Sequence, residues 1–370
     1  AKFDLAFLRA AGVPWPAVPI FDTQLAAMLL GAGTAEGTLR QTSLELVAAR
    51  HLGASLDKTL QGSDWGGSLS PSQLAYAAAD ATTTLRLVPV LKAALEAAGL
   101  TQAAAIEFGC VPALAWLETC GVPIDAARWR DRAVREAHQA EALEAQLCAT
   151  LLASRGGSGL LLVDAFHWKS PAQVLDLLQQ RGHAITSTDS STLAPLAGAD
   201  PLIPLLLDYR EADKRAGTYG VPWLEKAVHP LTGRVHASYS QLGSAAGRMS
   251  CTKPNIQNLP RSATYRGCIT ADPGWCIVKA DYSQIELRLG AVIAGDTAML
   301  TAYRSGADLH AATAARLTGV PVDQVTPEAR QLAKAVNFGL LYGMGAPRLQ
   351  GHAQDMFRVT MTAADAQRYR

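Results

Sequence analysis

The stretch RQLAKAVNFGLLYG, residues 330 to 343, places two cations and then two aromatic residues at four-residue intervals. These are Arg330, Lys334, Phe338 and Tyr342. Residues four apart lie one above another on an α-helix, so the spacing predicts one stripe that runs roughly 18 Å at about 1.5 Å per residue. That length suits a triphosphate at the cationic end and a base at the aromatic end.

Thr326 and Pro327 mark the predicted start of this helix, as its N-cap and its first helical residue. The cations then lie near the positive end of the helix, whereas helix stability alone favours cations in the last turn. The pattern therefore indicates a face that binds an anion. The alternative interpretation is an amphipathic helix with aromatic residues in the core and cations in solvent.

The composition is typical of a soluble globular protein, with 370 residues, 49% of them hydrophobic, and a net charge of +1. This length is enough for two or three domains. No segment reaches the roughly 18 apolar residues of a membrane span, so we expect no membrane association. Residues 231–370 carry 15 Lys and Arg against 9 Asp and Glu, which favours an anionic partner there. The six cysteines form no CxxC pair and are expected to be reduced thiols.

The periodicity of the chain changes along its length. Residues 1–100 mix short apolar runs with helical ones, and helical patterns dominate residues 101–230. The segment RVHASYSQ, residues 234–241, alternates with the period of a strand. The segment GWCIVKADY, residues 274–282, has the pattern of a buried strand, and a series of helices follows it.

Asp281 lies at the end of that predicted strand, and Ser283 and Glu286 have the spacing of a capping box. We therefore predict that a helix begins immediately after Asp281. A carboxylate at the end of a strand, beside a helix N-terminus, is well placed to hold Mg²⁺. A two-metal site needs a second acid that bridges ions about 3.5 to 4 Å apart. The capping box alone is a sufficient explanation for Glu286.

The sequence DYSQIELR together with RxxxKxxNFGxxYG resembles the first two polymerase motifs of the family A DNA polymerases, the bacterial DNA polymerase I group. The stretches TGRVHASYSQLGSAAGRMSCTKPNIQNLP and GADLHAATA resemble the sequences before and between those motifs. The resemblance covers residues 231 to about 350. It implies an α/β and α+β multidomain chain, in which an RNase H-like exonuclease domain precedes a right-hand polymerase with a helical thumb, an incomplete palm sheet and helical fingers.

The resemblance implies roles for residues near the palm strand. Asp281 would be a metal ligand and would take part in catalysis, helped by the backbone carbonyl of Tyr282. Glu286 would exclude a ribose 2′-OH and pack near Tyr342.

It also implies a nucleotide site on the helix quoted above. Arg330 and Lys334 would hold the phosphates of the incoming nucleotide with help from His310, and Lys334 could protonate the leaving pyrophosphate. Phe338 would stack near the sugar and base, and Tyr342 would close the pocket. Cations at these positions fit phosphoryl transfer, which depends on positioning and charge stabilisation.

Four further residues are candidates for contact with DNA. By the same resemblance, Arg248 would reach the minor groove at the primer end, where acceptors are placed alike for every base pair. Gln257 would contact the template. Lys214 and Arg215, in the thumb, are candidates for duplex phosphates. The alternative for each is an ordinary surface side chain.

The front of the chain carries a second motif. In YAAAD, Tyr76 and Asp80 lie one helical turn apart, and Asp4 lies near the start of an earlier helix. This resembles the last two motifs of a proofreading 3′-5′ exonuclease, in which Asp4 and Asp80 would hold metal and Tyr76 would orient the attacking water. A Tyr and an Asp four apart also occur on exposed helix faces, and an RNase D-type exonuclease is an alternative for this domain alone.

These interpretations give three domains: an exonuclease-like domain over residues 1–100, a thumb over 101–230, and palm and fingers over 231–370. We expect truncation at both ends, with the D-x-E motif of the exonuclease and the H-D-E motif of the polymerase outside the chain. The chain itself would then be inactive.

The natural protein would be a monomeric, cytoplasmic, nucleoid-associated polymerase of replication or repair, although a phage or organelle origin is open. Its cofactor would be Mg²⁺, with Mn²⁺ as a substitute, and its partners primer-template DNA and deoxynucleoside triphosphates. The alternative is a non-catalytic DNA-binding remnant.

Overall fold

The computed structural model describes residues 1–14, 18–38, 41–154, 166–260, 263–357 and 359–369. Contacts divide the chain into two compact units, each made of two segments. The first unit contains Ala1–Glu136 and Arg215–Ile277, and the second contains Ala137–Lys214 and Val278–Arg370. The division into three consecutive domains stays a prediction.

Helices dominate the described chain. In chain order they are α1 (Lys2–Ala10), α2 (Thr23–Leu30), α3 (Leu44–Leu52), α4 (Pro71–Ala97), α5 (Thr101–Cys120), α6 (Ala126–Ser154), α7 (Pro171–Gln180), α8 (Ser190–Leu193), α9 (Leu202–Tyr219), α10 (Val221–Ala227), α11 (Ala263–Arg266), α12 (Ile285–Ala294), α13 (Thr297–Arg304), α14 (Leu309–Thr318), α15 (Pro327–Leu341), α16 (Ala346–Phe357) and α17 (Ala363–Arg368). Local signals explain several starts. Ser70 forms a capping box with Gln73 at the start of α4, for example, and Asp22 caps α2.

Among the described residues, the strands are short and lie in the first unit. Strand β1 (Val122–Pro123) pairs antiparallel with β2 (Arg234–Val235), and β3 (Ser238–Ser240) pairs antiparallel with β4 (Ser250–Thr252). The predicted strand over residues 234–241 is therefore confirmed as two short pieces, β2 and β3.

The predicted buried strand over residues 274–282 is wrong. This segment has no strand conformation, and Trp275, Val278 and Tyr282 are 78%, 83% and 82% exposed. A strand needs a neighbour that pairs with its backbone groups. The described part of the chain supplies no strand partner for these residues. The apolar pattern alone therefore does not produce a strand here.

The predicted capping box at Ser283 and Glu286 is also wrong. Helix α12 begins at Ile285, and its N-cap is Gln284, which has a left-handed φ of 55°. The Gln284 side chain instead accepts a hydrogen bond from the Tyr303 hydroxyl at 3.0 Å, and the Arg288 guanidinium donates to the Ser283 carbonyl at 2.9 Å. These contacts with α13 and within α12 fix the start of the helix in place of the box.

Aromatic packing forms part of the first unit's core. Trp129 is fully buried and stacks on Trp223, with ring centroids 4.5 Å apart. Its indole N–H donates to the Tyr219 carbonyl at 2.9 Å, so the polar atom of this buried ring is satisfied.

In the second unit, α15 packs against α12, α14 and α16. Gly339 allows a close approach on the α16 side, because a Cβ at this position would lie 2.3 Å from the Leu349 Cδ1. The buried residues Ala335, Val336 and Leu349 fill this contact. One face of α15 is therefore fixed by packing, which sets the direction of its other faces.

Helix α5 is long and apolar enough to cross a membrane by length and composition, a candidate that the sequence analysis missed. Such a criterion also fits helices of globular proteins. In this structure α5 packs against α1 and α2, and Glu118 near its end accepts a hydrogen bond from the Lys2 ammonium at 2.6 Å.

Candidate functional site

Helix α15 has the predicted start and carries Arg330, Lys334 and Phe338, the first three residues of the predicted stripe. The Thr326 hydroxyl accepts the Ala329 N–H at 3.2 Å, and Pro327 is the first helical residue. This part of the prediction is confirmed. The helix ends at Leu341, so Tyr342 is its C-cap residue and is 54% exposed.

Arg330, at the cationic end of the stripe, forms an ion pair with Asp308. The Arg330 Nε donates to the Asp308 Oδ2 at 2.6 Å. Asp308 is also the N-cap of α14, and its Oδ1 accepts the backbone N–H groups of His310 and Ala311. Burial raises the pKa of Asp308, but the hydrogen bonds from Arg330 and the backbone outweigh it, so the pKa lies below its usual value.

His310, in the first turn of α14, is 1% exposed. Its Nδ1 lies 3.0 Å from the Asn337 Nδ2, and its ring centroid lies 5.9 Å from that of Phe338. Its Nε2 is buried and has no hydrogen-bond partner among the described residues. Burial, followed by the positive charge of Arg330, holds the pKa of His310 below its usual value, so the ring is neutral at pH 7.

Lys334 lies one turn after Arg330 and is half-buried. Its Nζ is 5.6 Å from the centroid of the Phe357 ring on α16, which is within the range of a cation–π contact. The charge of Lys334 also contributes to the low pKa of His310. Two cations and a neutral imidazole thus act on one region, an arrangement that favours an anion with several oxygen acceptors.

The predicted palm residues do not form a metal centre in the described chain. Asp281 and Tyr282 are exposed and precede α12, whereas Glu286 is half-buried in its first turn. Helix α12 packs on α15, and a Cβ at Gly290 would lie 2.8 Å from the Leu341 Cδ1. No group of three or more His, Cys, Asp or Glu side chains suited to a metal occurs among the described residues.

Tyr76 and Asp80 share a partner that the sequence analysis missed. The Lys58 Nζ lies 2.8 and 2.9 Å from the two carboxylate oxygens of Asp80 and 3.3 Å from the Tyr76 hydroxyl. Burial lowers the pKa of Lys58, but the hydrogen bonds with Asp80 and Tyr76 raise it more, so the ammonium is retained. Asp80, a predicted metal ligand, is therefore neutralised by a cation in this structure.

Asp4, the other predicted metal ligand of the front domain, lies in the first turn of α1. Its side chain is 71% exposed and is 3.2 Å from the α-amino group of Ala1. The structure does not bring Asp4 and Asp80 into a common group of three potential ligands within the described residues.

Arg248 and Gln257 have exposed side chains on irregular segments. The backbone of Arg248 closes a turn with Ser244, whose hydroxyl accepts the Arg248 N–H at 3.0 Å. Gln257 lies in a 3₁₀ turn, Ile256–Asn258, that is capped by the Asn255 side chain. Both local structures leave the side chains at the surface, and their DNA contacts stay predictions.

Lys214 and Arg215 differ although they are neighbours in the chain. Lys214 is exposed, whereas the Arg215 Nε donates to the Glu136 Oε2 at 2.9 Å. The Glu136 side chain has no exposed surface and also pairs with Arg132. Arg215 thus balances a buried charge, which is costly to leave unpaired. Burial, followed by the Glu136 charge, raises the pKa of nearby Tyr265 to about 12.

The first unit contains a cavity of about 710 Å³. Its lining includes Trp223, His229, His236 and Lys253, and none of the predicted site residues contributes to it. Cavity size therefore does not identify the site.

Two family models match the chain. The model of DNA polymerase family A matches residues 139–369, and a 3′-5′ exonuclease model matches residues 1–96. The chain is 35% identical to DNA polymerase I of Chloroflexus aurantiacus over 94% of this chain and 38% of that protein. It is 32% identical to DNA polymerase I of Aquifex aeolicus over 99% of this chain and 63% of that protein.

A solved structure is also similar. It is the polymerase domain of Pol1 from M. smegmatis, in a complex with DNA primer-template and dNTP. The TM-score is 0.77 at 26% identity, and the match covers 100% of this chain and 61% of that one. The chain thus spans less than two thirds of the length of these relatives.

The matches confirm the predicted fold class, an exonuclease domain followed by a family A polymerase domain. The polymerase model alone covers more than half of the residues, in the segment that contains α14 and α15. The chain therefore belongs to DNA polymerase family A.

Proposed function

We propose that this chain is part of a DNA-templated DNA polymerase that adds deoxynucleotides to a primer 3′ end and acts in replication or repair. The observation that carries the proposal is the cluster of Arg330, Lys334 and His310 on α14 and α15. It combines two cations with a buried imidazole nitrogen that lacks a partner among the described residues. A nucleoside triphosphate supplies the oxygen acceptors that such a cluster would bind.

The chemistry of the cluster fits phosphoryl transfer. Arg330 and Lys334 would balance the charge of the triphosphate near the positive end of α15. Lys334 would donate a proton to the leaving pyrophosphate. Phe338, further along the same helix, and the exposed Tyr342, at its C-cap, would contact the sugar and base. Membership of family A and the similarity to a polymerase solved with primer-template and dNTP support these roles.

A divalent-metal requirement is proposed for the whole protein, with Asp281 and the Tyr282 carbonyl as ligands. Two metals would supply charge stabilisation at the reacting phosphate. The described residues do not fit a complete site, because Asp281 is exposed and no group of three potential ligands occurs among them. For this reason we propose that the 370-residue chain is itself inactive as a polymerase and as an exonuclease.

The DNA-binding part of the proposal rests on exposed side chains. Arg248, Gln257 and Lys214 lie at the surface, where they could contact primer-template DNA. Arg215 would act indirectly, since its guanidinium is paired with buried Glu136. We propose that the protein works as a monomer.

For the front domain we propose a 3′-5′ exonuclease site around Tyr76 and Asp80. The exonuclease match over residues 1–96 supports it. Lys58 holds both Asp80 oxygens in this structure, so a metal at Asp80 would have to compete with that ammonium.

Primer extension tests the proposal. The full-length product of the source gene should extend a primer on a DNA template, Asp281→Ala should abolish the extension, and the 370-residue chain should show none. Arg316→Ala, which removes an exposed cation at the end of α14, is a matched control and should retain activity. Extension by the 370-residue chain that Asp281→Ala abolishes would contradict its proposed inactivity.

A second candidate is a non-catalytic DNA-binding protein, which the lack of a three-ligand metal group among the described residues favours. Binding of primer-template by the full-length product without any extension would support this candidate over the polymerase.

A further inference from the structure

The buried imidazole of His310 poses a specific question, because a neutral histidine carries its single proton on only one of two nitrogens. One nitrogen, Nδ1, has a partner in Asn337 at 3.0 Å. The other, Nε2, is buried without a hydrogen-bond partner among the described residues. The proton position decides whether Nε2 can donate to an anion or would repel it.

Thr313 is the second side chain that the Asn337 amide contacts. The Thr313 hydroxyl has one hydrogen, and its two acceptors are the Leu309 carbonyl at 2.9 Å and the Asn337 Oδ1 at 3.2 Å; with either one its oxygen can still accept a hydrogen bond. The Asn337 Nδ2 lies 3.1 Å from that oxygen and 3.0 Å from the His310 Nδ1. An amide nitrogen has two hydrogens, which is enough for both bonds. In this arrangement Asn337 donates to Nδ1, and Nδ1 is the bare nitrogen.

The proton of the neutral ring then resides on Nε2. Around this ring the charged side chains are Asp308 at the N-cap of α14 and the cations Arg330 and Lys334 on α15. Asp308 is already engaged by Arg330 and by two backbone N–H groups. An Nε2–H group beside two cations lacks only an anionic oxygen as its acceptor.

We propose that Asn337 is a positioning residue that holds His310 as the Nε2–H tautomer, so that His310 donates from Nε2 to a phosphate oxygen of a nucleoside triphosphate. This inference rests on the proposed function for the identity of the ligand. The tautomer itself follows from the contacts of Asn337, Thr313 and His310. Because Nε2 is buried, a phosphate reaches it only when a neighbouring side chain moves.

Nitrogen NMR of the 370-residue chain with ¹⁵N-labelled histidine tests the tautomer directly. His310→Gln assigns the signal among the eight histidines. At pH 8.5 we expect the wild-type His310 Nδ1 to be bare and Nε2 to be protonated. In Asn337→Asp a carboxylate can only accept, so Nδ1 should become protonated. Gln331→Glu, the same change at an exposed position of α15, should leave the wild-type pattern.

Titration with dATP at the same pH tests the phosphate contact. Asn337→Asp should weaken dATP binding roughly 10-fold, the effect of one charge-assisted hydrogen bond, while Gln331→Glu should stay within about twofold of wild type. Circular dichroism checks that both variants are folded.

The outcomes separate the two proposals. A wild-type ring protonated on Nδ1, or a pattern that Asn337→Asp leaves unchanged, would overturn the role of Asn337 even if dATP binds. Wild-type chain that shows the Nε2–H tautomer but does not bind dATP would overturn the phosphate contact together with the proposed nucleotide site.

Discussion

The two candidate sites of this chain each contain a preformed ion pair. In one site the pair holds the cation that the ligand would use, and in the other it holds the carboxylate. At α14 and α15, Asp308 holds Arg330, the cation proposed to bind phosphate. At α4, Lys58 holds Asp80, the carboxylate proposed to bind metal. In each site an internal partner therefore occupies the group that the ligand would use. The strength of ligand binding should depend on how easily each pair is exchanged.

The two pairs also differ in their surroundings. Arg330 and Asp308 are accompanied by a second cation, Lys334, and by a buried imidazole. Lys58 and Asp80 are accompanied by Tyr76, and no group of three potential metal ligands occurs in the described chain. The α14 and α15 site thus retains groups for its ligand after the exchange, whereas the α4 site leaves a metal with few ligands.

The largest expected effect is that of Arg330→Ala on nucleotide binding. Loss of a charged partner should weaken dATP binding by the 370-residue chain roughly 100-fold, as measured by calorimetry. Arg316→Ala removes the same charge from α14 and is the matched control. Equal affinities of wild type and Arg330→Ala would break the assignment of the phosphate site to α15.

An intermediate effect is expected when Lys58 is replaced. Lys58→Met removes the cation that competes for Asp80, so Mn²⁺ binding should tighten about three- to fivefold, the upper part of the range for ion pairs near a protein surface. Electron paramagnetic resonance of free Mn²⁺ measures this. The double variant with Asp80→Asn should lose the gain, and tightening that persists in the double variant would show that the metal binds elsewhere.

A smaller effect is expected for Asp308→Asn, which keeps the cap oxygen but removes the charge that holds Arg330. The freed guanidinium should bind dATP about two- to fivefold more tightly, since partly exposed pairs contribute little. A decrease in affinity would instead show that Asp308 positions Arg330 for the nucleotide and does not compete with it.

The smallest effects concern pH. The pKa of Asp308 is lowered on folding, so its contribution to stability is present above the unfolded pKa of about 3.9 and is lost as the pH falls through the folded value. The pKa of Lys58 is raised, so its contribution is present below about 10.4 and is lost as the pH rises through the folded value. Urea unfolding should therefore show Asp308→Asn with a weaker acid dependence and Lys58→Met with a weaker alkaline dependence. A weaker alkaline dependence of Asp308→Asn, or a weaker acid dependence of Lys58→Met, would contradict the roles of the two ion pairs.

Local signals in the sequence predicted the parts of the site that form locally. The start of α15 follows from Thr326 and Pro327, and its stripe follows from the spacing of Arg330, Lys334 and Phe338. A helix satisfies its backbone within itself, so its prediction needs no distant residue. Asp308 in the sequence ADLH has the residue type of an N-cap, a signal that could have predicted the start of α14.

The parts that failed depend on residues far along the chain. The predicted strand before Asp281 needs a pairing partner, and the described residues supply none. The capping box at Ser283 does not form, and a hydrogen bond between Gln284 and Tyr303 is present at the helix start instead. The partners Lys58 and Asp80 are 22 residues apart, and Asn337 and His310 are 27 apart, distances at which no periodic pattern indicates a contact.

The role of Arg215 also depends on a residue far along the chain. As a cation in a helical stretch it had the pattern of a surface residue, but it balances Glu136, which has no exposed side-chain surface. A buried carboxylate 79 residues away cannot be inferred from helix periodicity.

The central claim is that the α14 and α15 cluster binds the phosphates of a nucleotide. Its most direct test is displacement of a fluorescent dATP analogue from the 370-residue chain by inorganic tripolyphosphate. We predict that the analogue binds, that tripolyphosphate displaces it, and that Arg330→Ala greatly weakens both interactions. An analogue that binds equally well to wild type and Arg330→Ala, and that tripolyphosphate does not displace, would contradict the claim.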